Sequence, residues 1–365
     1  MRAVPPARDR PPGTGGSAGG TDPDHQDGIC RSRRAALTRR AGEQPARVAS
    51  HSRAPAAARP RSREPVIEAH ARPHSELLPR PRLVACDIDG TLLDERGNLP
   101  AAIRNAIAAI AGSGVDVVLA TGRSPWSGIA ELTERLGLPG PQITMQGALV
   151  SVPATGEVHR LRALAPALYS EAIGFADELG IDAVVALLDG HRAERLPDVG
   201  ELFVTPLAEG RGFRYVEGLE RLVDERPIRV FLPTGPERHG AVRRLVVSRF
   251  AGRASIVWSD LTGVEILAPG THKGEAVSWL ASTRGISPAE VAAVGDAAND
   301  AEMLRGAGWS AAMGSAPPDV RACADVVVPP SRDLGVLDAF AWFFPDLAGD
   351  VGPRAGDRPA LVPLP

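Results

Sequence analysis

The stretch Leu83-Val84-Ala85-Cys86-Asp87-Ile88-Asp89-Gly90-Thr91-Leu92-Leu93 decides the fold. Its first four residues form a short, unbroken apolar run, which reads as a strand buried on both faces, the kind that fills a parallel sheet. The run ends directly on two carboxylates, Asp87 and Asp89. Open α/β sheets bind their ligands outside the carboxyl ends of the strands, so acidic residues at that edge are candidates for chemistry. Working outward, Pro100 opens a helix whose Ile103, Ile107 and Ile110 share one face, and Gly112 and Gly114 are placed to stop it. Val115 to Ala120 reads as a second strand, ending at Thr121-Gly122-Arg123. Val291 to Val294 repeats the pattern, runs into Gly295-Asp296-Ala297-Ala298-Asn299-Asp300, and precedes a helical stretch through Met303 and Leu304. This alternation implies an α/β fold built on a Rossmann-like parallel sheet.

Parallel strands of one sheet deliver their C-terminal loops side by side. Asp87, Asp89, Asp296 and Asp300 crowded at one edge would repel each other unless protonation or a divalent cation relieved them. Magnesium suits such a set, because it takes oxygen ligands and zinc would want His or Cys. Each aspartate alone has an ordinary reading as a loop or N-cap residue. Of the 41 basic residues only Lys273 is a lysine. A compact ammonium reaches a phosphate or carboxylate as a point charge where a guanidinium fork would be too wide, and Lys273 follows the strand-like Val264-Glu265-Ile266-Leu267.

The rest of the composition sets boundaries. No 18-residue apolar window exists, so an integral membrane protein is excluded, and a net charge of −3 argues against a polyanion-coating protein. Cys30, Cys86 and Cys323 lie far apart, without zinc or disulfide spacing, which fits a reducing, cytoplasmic setting. Residues 1–79 carry 14 Arg against 8 acidic residues with few large apolar ones, and are expected to be a disordered Arg/Pro/Gly-rich segment. Its Arg-Ser-Arg-Arg at 31–34 comes without aromatic interleaving or a folded motif, so nucleic acid is not the expected partner.

Together these motifs resemble those of the haloacid dehalogenase (HAD) superfamily of hydrolases, and within it the Cof-type branch, subfamily IIB. Asp87-Ile88-Asp89-Gly90-Thr91-Leu92-Leu93 matches the first motif of that family, Thr121-Gly122-Arg123 the second, Lys273-Gly274 the third and Gly295-Asp296-Ala297-Ala298-Asn299-Asp300 the fourth. The resemblance implies a HAD-type phosphoric monoester hydrolase acting through an aspartyl-phosphate. It implies Asp87 as nucleophile and Asp89 as acid and base. Thr121, Gly122, Lys273 and Asn299 would hold the phosphate. Mg²⁺ would be held by Asp87, the main-chain carbonyl of Asp89, and Asp296. Asp300 and Arg123 would support the site from behind, Arg123 being equally readable as a loop ion-pair partner. The chain departs from the branch at Gln146-Gly147-Ala148 and at Gly314-Ser315-Ala316, where Asn-Gly-Ala and Gly-Asn-Ala are usual.

About 150 residues separate the second and third motifs, far more than a sheet crossover needs. The expected division is a core of 80–152 and 259–346, an inserted α/β cap over 153–258, and a flexible tail over 347–365. The cap's arginines, Arg192, Arg195, Arg211, Arg214 and Arg229, are readable as contacts to a second anionic group or as solvated charges. The expected function is a Mg²⁺-dependent phosphatase of small phosphorylated metabolites, sugar phosphates first. A phosphomannomutase-like mutase and an inactive HAD-fold binding or regulatory protein are the alternatives. The pattern carries no information on oligomeric state.

Overall fold

The structure, a computed structural model, describes residues 68–69, 78–94, 96–195, 214–258 and 263–353. Five parallel strands form the core sheet in the order Val326–Val328, Trp309–Met313, Val291–Gly295, Leu83–Cys86, Asp116–Leu119. Alternation along each strand feeds two cores. Val84 and Cys86 join Ile103, Ile107 and Ile110 of the helix Ala101–Gly112 and Phe340 and Phe343 of the helix Gly335–Phe343 on one face. Leu83 and Ala85 join Ala276, Val277 and Leu280 of the helix Lys273–Thr283 on the other. Because these strands are covered on both sides, they read in sequence as largely apolar runs, broken only by Asp116 at one strand's start and by Ser310.

A second sheet of six strands runs Ser255–Val257, Gly263–Leu267, Arg229–Pro233, Val184–Leu187, Gly190–Ala193, Arg214–Tyr215. It is antiparallel except for its last pair. The helices Pro166–Glu178 and Gly235–Phe250 cover one face, packing Tyr169, Ile173, Val242, Val246 and Phe250 on Val185, Val230, Val264 and Ile266. The other face carries Ala186, Leu267, Arg229 and Glu265, and its apolar members pack with Met145 and Ala148. A three-stranded antiparallel sheet, Gln142–Thr144, Leu149–Val152 and Glu157–Leu161, joins the two larger sheets in sequence.

Two parts of the expected division differ in the structure. Gly263–Leu267, assigned in the sequence to the second core piece, is an inner strand of the six-stranded sheet, paired on both sides. The expected tail from 347 begins with a helix, Ala348–Val351, whose Val351 is fully buried against the core, so apolar burial fixes this stretch. Residues 1–79 lie almost wholly outside the described residues. Within them Glu68–Ala69 form a short antiparallel strand on Val326–Val327, which covers backbone groups that an edge would leave unpaired.

Candidate active site

The expected site residues come from three loops at the carboxyl edge of the core sheet and from the start of one helix. Asp87 and Asp89 follow Leu83–Cys86, Thr121 to Arg123 follow Asp116–Leu119, and Asp296 to Asp300 follow Val291–Gly295. Lys273 begins the helix Lys273–Thr283. That helix is capped by the His272 ring, which accepts from the Glu275 amide, so the start of the helix, and Lys273 with it, is fixed.

Lys273 is 1% exposed and its Nζ donates to Asp87 Oδ1 at 2.6 Å and to Asp300 Oδ1 at 2.8 Å. Asp300 Oδ2 accepts from the amides of Asp296 and Ala297, which turns their loop around that carboxylate. Thr91 Oγ1 donates to Asp296 Oδ1 at 3.2 Å. One oxygen from each of Asp87, Asp296 and Asp300 lies within 4.8 Å of the others. Burial pushes the Asp87 carboxyl well above its usual range, against the pull of Lys273, while Asp300 and Asp296 add to the push. Burial and then Asp300 raise Asp296 to about 6. Burial alone would lower Lys273, but Asp300 and Asp87 outweigh it and the ammonium is held charged.

Three carboxylates sharing one ammonium leave excess negative charge in a half-dry cluster. Its donors are all oxygens, so the residues present fit a hard divalent cation, with Asp87 and Asp296 to hold it and Asp300 tied to Lys273.

Asp89 stands apart from the cluster. Arg123 grips it with two bonds, Nε to Oδ2 at 2.8 Å and Nη2 to Oδ1, and its side chain is half exposed. Thr121 is buried, and its Oγ1 accepts from the Arg123 amide, leaving the hydroxyl proton to donate elsewhere. Gly122 is needed for close approach: a Cβ there would stand 2.4 Å from Gln146 Nε2. Asn299 is turned toward Gln146, its Nδ2 donating to Gln146 Oε1 at 2.9 Å. Of the cap arginines, Arg192 pairs with Asp189, Arg195 with Asp182 and Arg229 with Glu265, while Arg211 lies outside the described residues.

Gln146 and Glu265 sit at this site although sequence patterning gave no role to either. The one signal was Gln146 itself, which stands where the resembled branch has Asn. Met145 and Gln146 both have positive φ, 49° and 60°, a conformation that bulky residues avoid. Bonds from the Met145 amide to Arg123 O and from the Gln146 amide to Thr121 O hold them there.

A family model described as haloacid dehalogenase-like hydrolase matches residues 84–340. The chain belongs to that family. It is 30% identical over 244 residues to the HMP-PP phosphatase of Cronobacter sakazakii, covering 66% of this chain and 87% of the relative. It is also 29% identical over 281 residues to the chloroplastic endoribonuclease YBEY of Arabidopsis thaliana, covering 72% of this chain but 46% of that protein. The structure of the HAD subclass IIB sugar phosphatase BT4131 superposes with a TM-score of 0.63 at 24% identity, covering 72% of this chain and 98% of that one. Membership in this family, with relatives named phosphatases, places the chain among phosphoric monoester hydrolases. Among the described residues no helix is long and apolar enough to cross a membrane.

Proposed function

We propose that the chain is a Mg²⁺-dependent phosphatase of small phosphorylated metabolites, sugar phosphates foremost, working through an aspartyl-phosphate on Asp87. The observation that carries this reading is Asp87 at a strand end, buried, bonded to the one lysine of the chain and grouped with Asp296 and Asp300. An Asp87 oxygen attacks phosphorus and the bond from phosphorus to the leaving oxygen breaks. Asp89, half exposed and apart from the cluster, gives its proton to that oxygen. Water then attacks the phosphorus of the aspartyl-phosphate, its proton returns to Asp89, and inorganic phosphate leaves with Asp87 restored. Lys273 and the Thr121 hydroxyl hold the phosphoryl oxygens as charge develops on them. A cation held by Asp87, the Asp89 carbonyl and Asp296 would supply further neutralising charge. Arg123 keeps Asp89 oriented. The six-stranded sheet reaches these loops through Arg229, which bonds the Gly122 carbonyl and Ser124, and a cap placed so would exclude water.

The test is phosphate release by the full chain over sugar phosphates, nucleotides and an aryl phosphate, with and without Mg²⁺, beside Asp87→Asn. Turnover that needs metal and disappears in the variant is expected. A folded wild type that releases no phosphate from any of them with Mg²⁺ would overturn the proposal.

A further inference from the structure

We infer that the buried pair Arg229–Glu265 of the six-stranded sheet is a positioning element that sets the geometry of three active-site loops. The inference rests on the proposed hydrolytic function and names residues to which that mechanism gives no role. Arg229 Nη1 donates to Glu265 Oε2 at 3.0 Å and to the Gly122 carbonyl at 3.1 Å, and its Nη2 reaches Ser124 Oγ at 3.5 Å. Glu265 Oε1 accepts from Gln146 Nε2 at 3.2 Å, and Gln146 Oε1 accepts from Asn299 Nδ2. One ion pair therefore reaches the loop of Thr121, the turn at Gln146 and the loop of Asp300. His191 of the same sheet adds a contact of 2.9 Å from Nε2 to Ser124 Oγ.

Three features argue that these bonds serve geometry and not folding alone. Arg229 and Glu265 are 7% and 8% exposed, and a dry ion pair is seldom more stabilising than apolar side chains of the same size. Met145 and Gln146 hold left-handed backbone, a strain that persists only where the surroundings impose it and that brings Gln146 between Glu265 and Asn299. Gly122 lacks the Cβ that would push Gln146 away. Neither Arg229 nor Glu265 bonds to Asp87, Asp296 or Lys273 in the cluster.

The experiment compares the full-length wild type with Glu265→Gln and with the double variant Arg229→Met/Glu265→Leu, which replaces the charges by apolar volume. Expected are a lower Tm for Glu265→Gln and recovery of Tm in the double variant. In both, kcat falls at least 30-fold while KM and the Mg²⁺ concentration for half-activation stay within threefold. A kcat that recovers with Tm in the double variant, or that stays within threefold of wild type in either, would overturn the inference. Amide hydrogen exchange without substrate separates this outcome from failure of the functional proposal. Peptides covering 119–127 and 142–150 should lose protection in the double variant, and unchanged protection there would overturn the inference even if no substrate is ever turned over.

Discussion

Lys273 Nζ stands 2.6 Å from Asp87 Oδ1 in a setting that leaves the lysine 1% exposed, so the ammonium and the two carboxylates it bonds, Asp300 and Asp87, compensate one another for lost water. Removing the ammonium strands Asp87 and Asp300 together. Lys273→Met is expected to cost about 3–5 kcal/mol of stability in the metal-free protein, the usual penalty for breaking a buried pair. Lys273→Arg keeps the charge but not the shape, and should lower kcat at least 100-fold. Urea unfolding and phosphate release measure the two effects. An arginine variant with wild-type kcat would show that charge alone suffices.

The raised carboxyls give a pH dependence with a definite sign. Asp296 moves from its ordinary 3.8 to about 6 and Asp87 moves the same way, so between about pH 4 and 6 the folded chain binds protons more tightly than the unfolded chain. Metal-free stability should therefore fall as pH rises through that window, with Asp87 adding to the fall as it ionises in turn. A cation needs the ionised carboxylates, so the Tm gain from added Mg²⁺ is expected to be small at pH 5 and large at pH 7.5. Equal gains at both pH values would contradict the assignment of these groups.

Gly90 has φ +80°, and a Cβ on it would lie 2.3 Å from Asp296 Oδ2. Gly90→Ala should therefore displace that carboxylate as well as strain the turn, by about 1–3 kcal/mol for the backbone alone. The Mg²⁺ concentration for half-activation should rise at least tenfold. An unchanged metal requirement would remove Asp296 from the proposed cation site.

Arg123 and Asp89 are both partly exposed, at 33% and 57% of their side chains, and such pairs contribute roughly 0–1 kcal/mol. Asp89→Asn should thus leave Tm nearly unchanged while lowering kcat by about 10²–10⁴, the usual contribution of a proton-transfer group. Arg123→Ala should lower kcat less, since Asp89 keeps its chemistry and loses only its orientation. Comparable kcat losses in the two variants would make Arg123 more than an orienting partner.

The parts legible in the sequence were those that chemistry restricts most. Asp87 and Asp296 could be found because a strand ending on a carboxylate is informative wherever it falls, and Lys273 because no other lysine competes with it for notice. What pattern could not reach depends on pairing across distance. Val264-Glu265-Ile266-Leu267 looks like a core strand leading to Lys273. It belongs instead to the six-stranded sheet, where the Glu265 carboxylate, opposite Phe231 in register, pairs with Arg229, 36 residues earlier. Gln146 was visible as an unusual residue, but its left-handed backbone is imposed by Thr121 and Arg123. Val351 was hidden in a stretch rich in Gly, Asp and Pro, where its single apolar contact surface leaves no periodic trace.

The solitary buried lysine also makes the chain its own reporter of opening. A protease that cuts only after lysine has a single target bond, between Lys273 and Gly274, and both residues are buried at the start of a helix in the folded protein. Cleavage into 1–273 and 274–365 can then proceed only through states in which the active site has come apart, so the rate of that one cut tracks the population of broken sites, molecule by molecule, with no label attached.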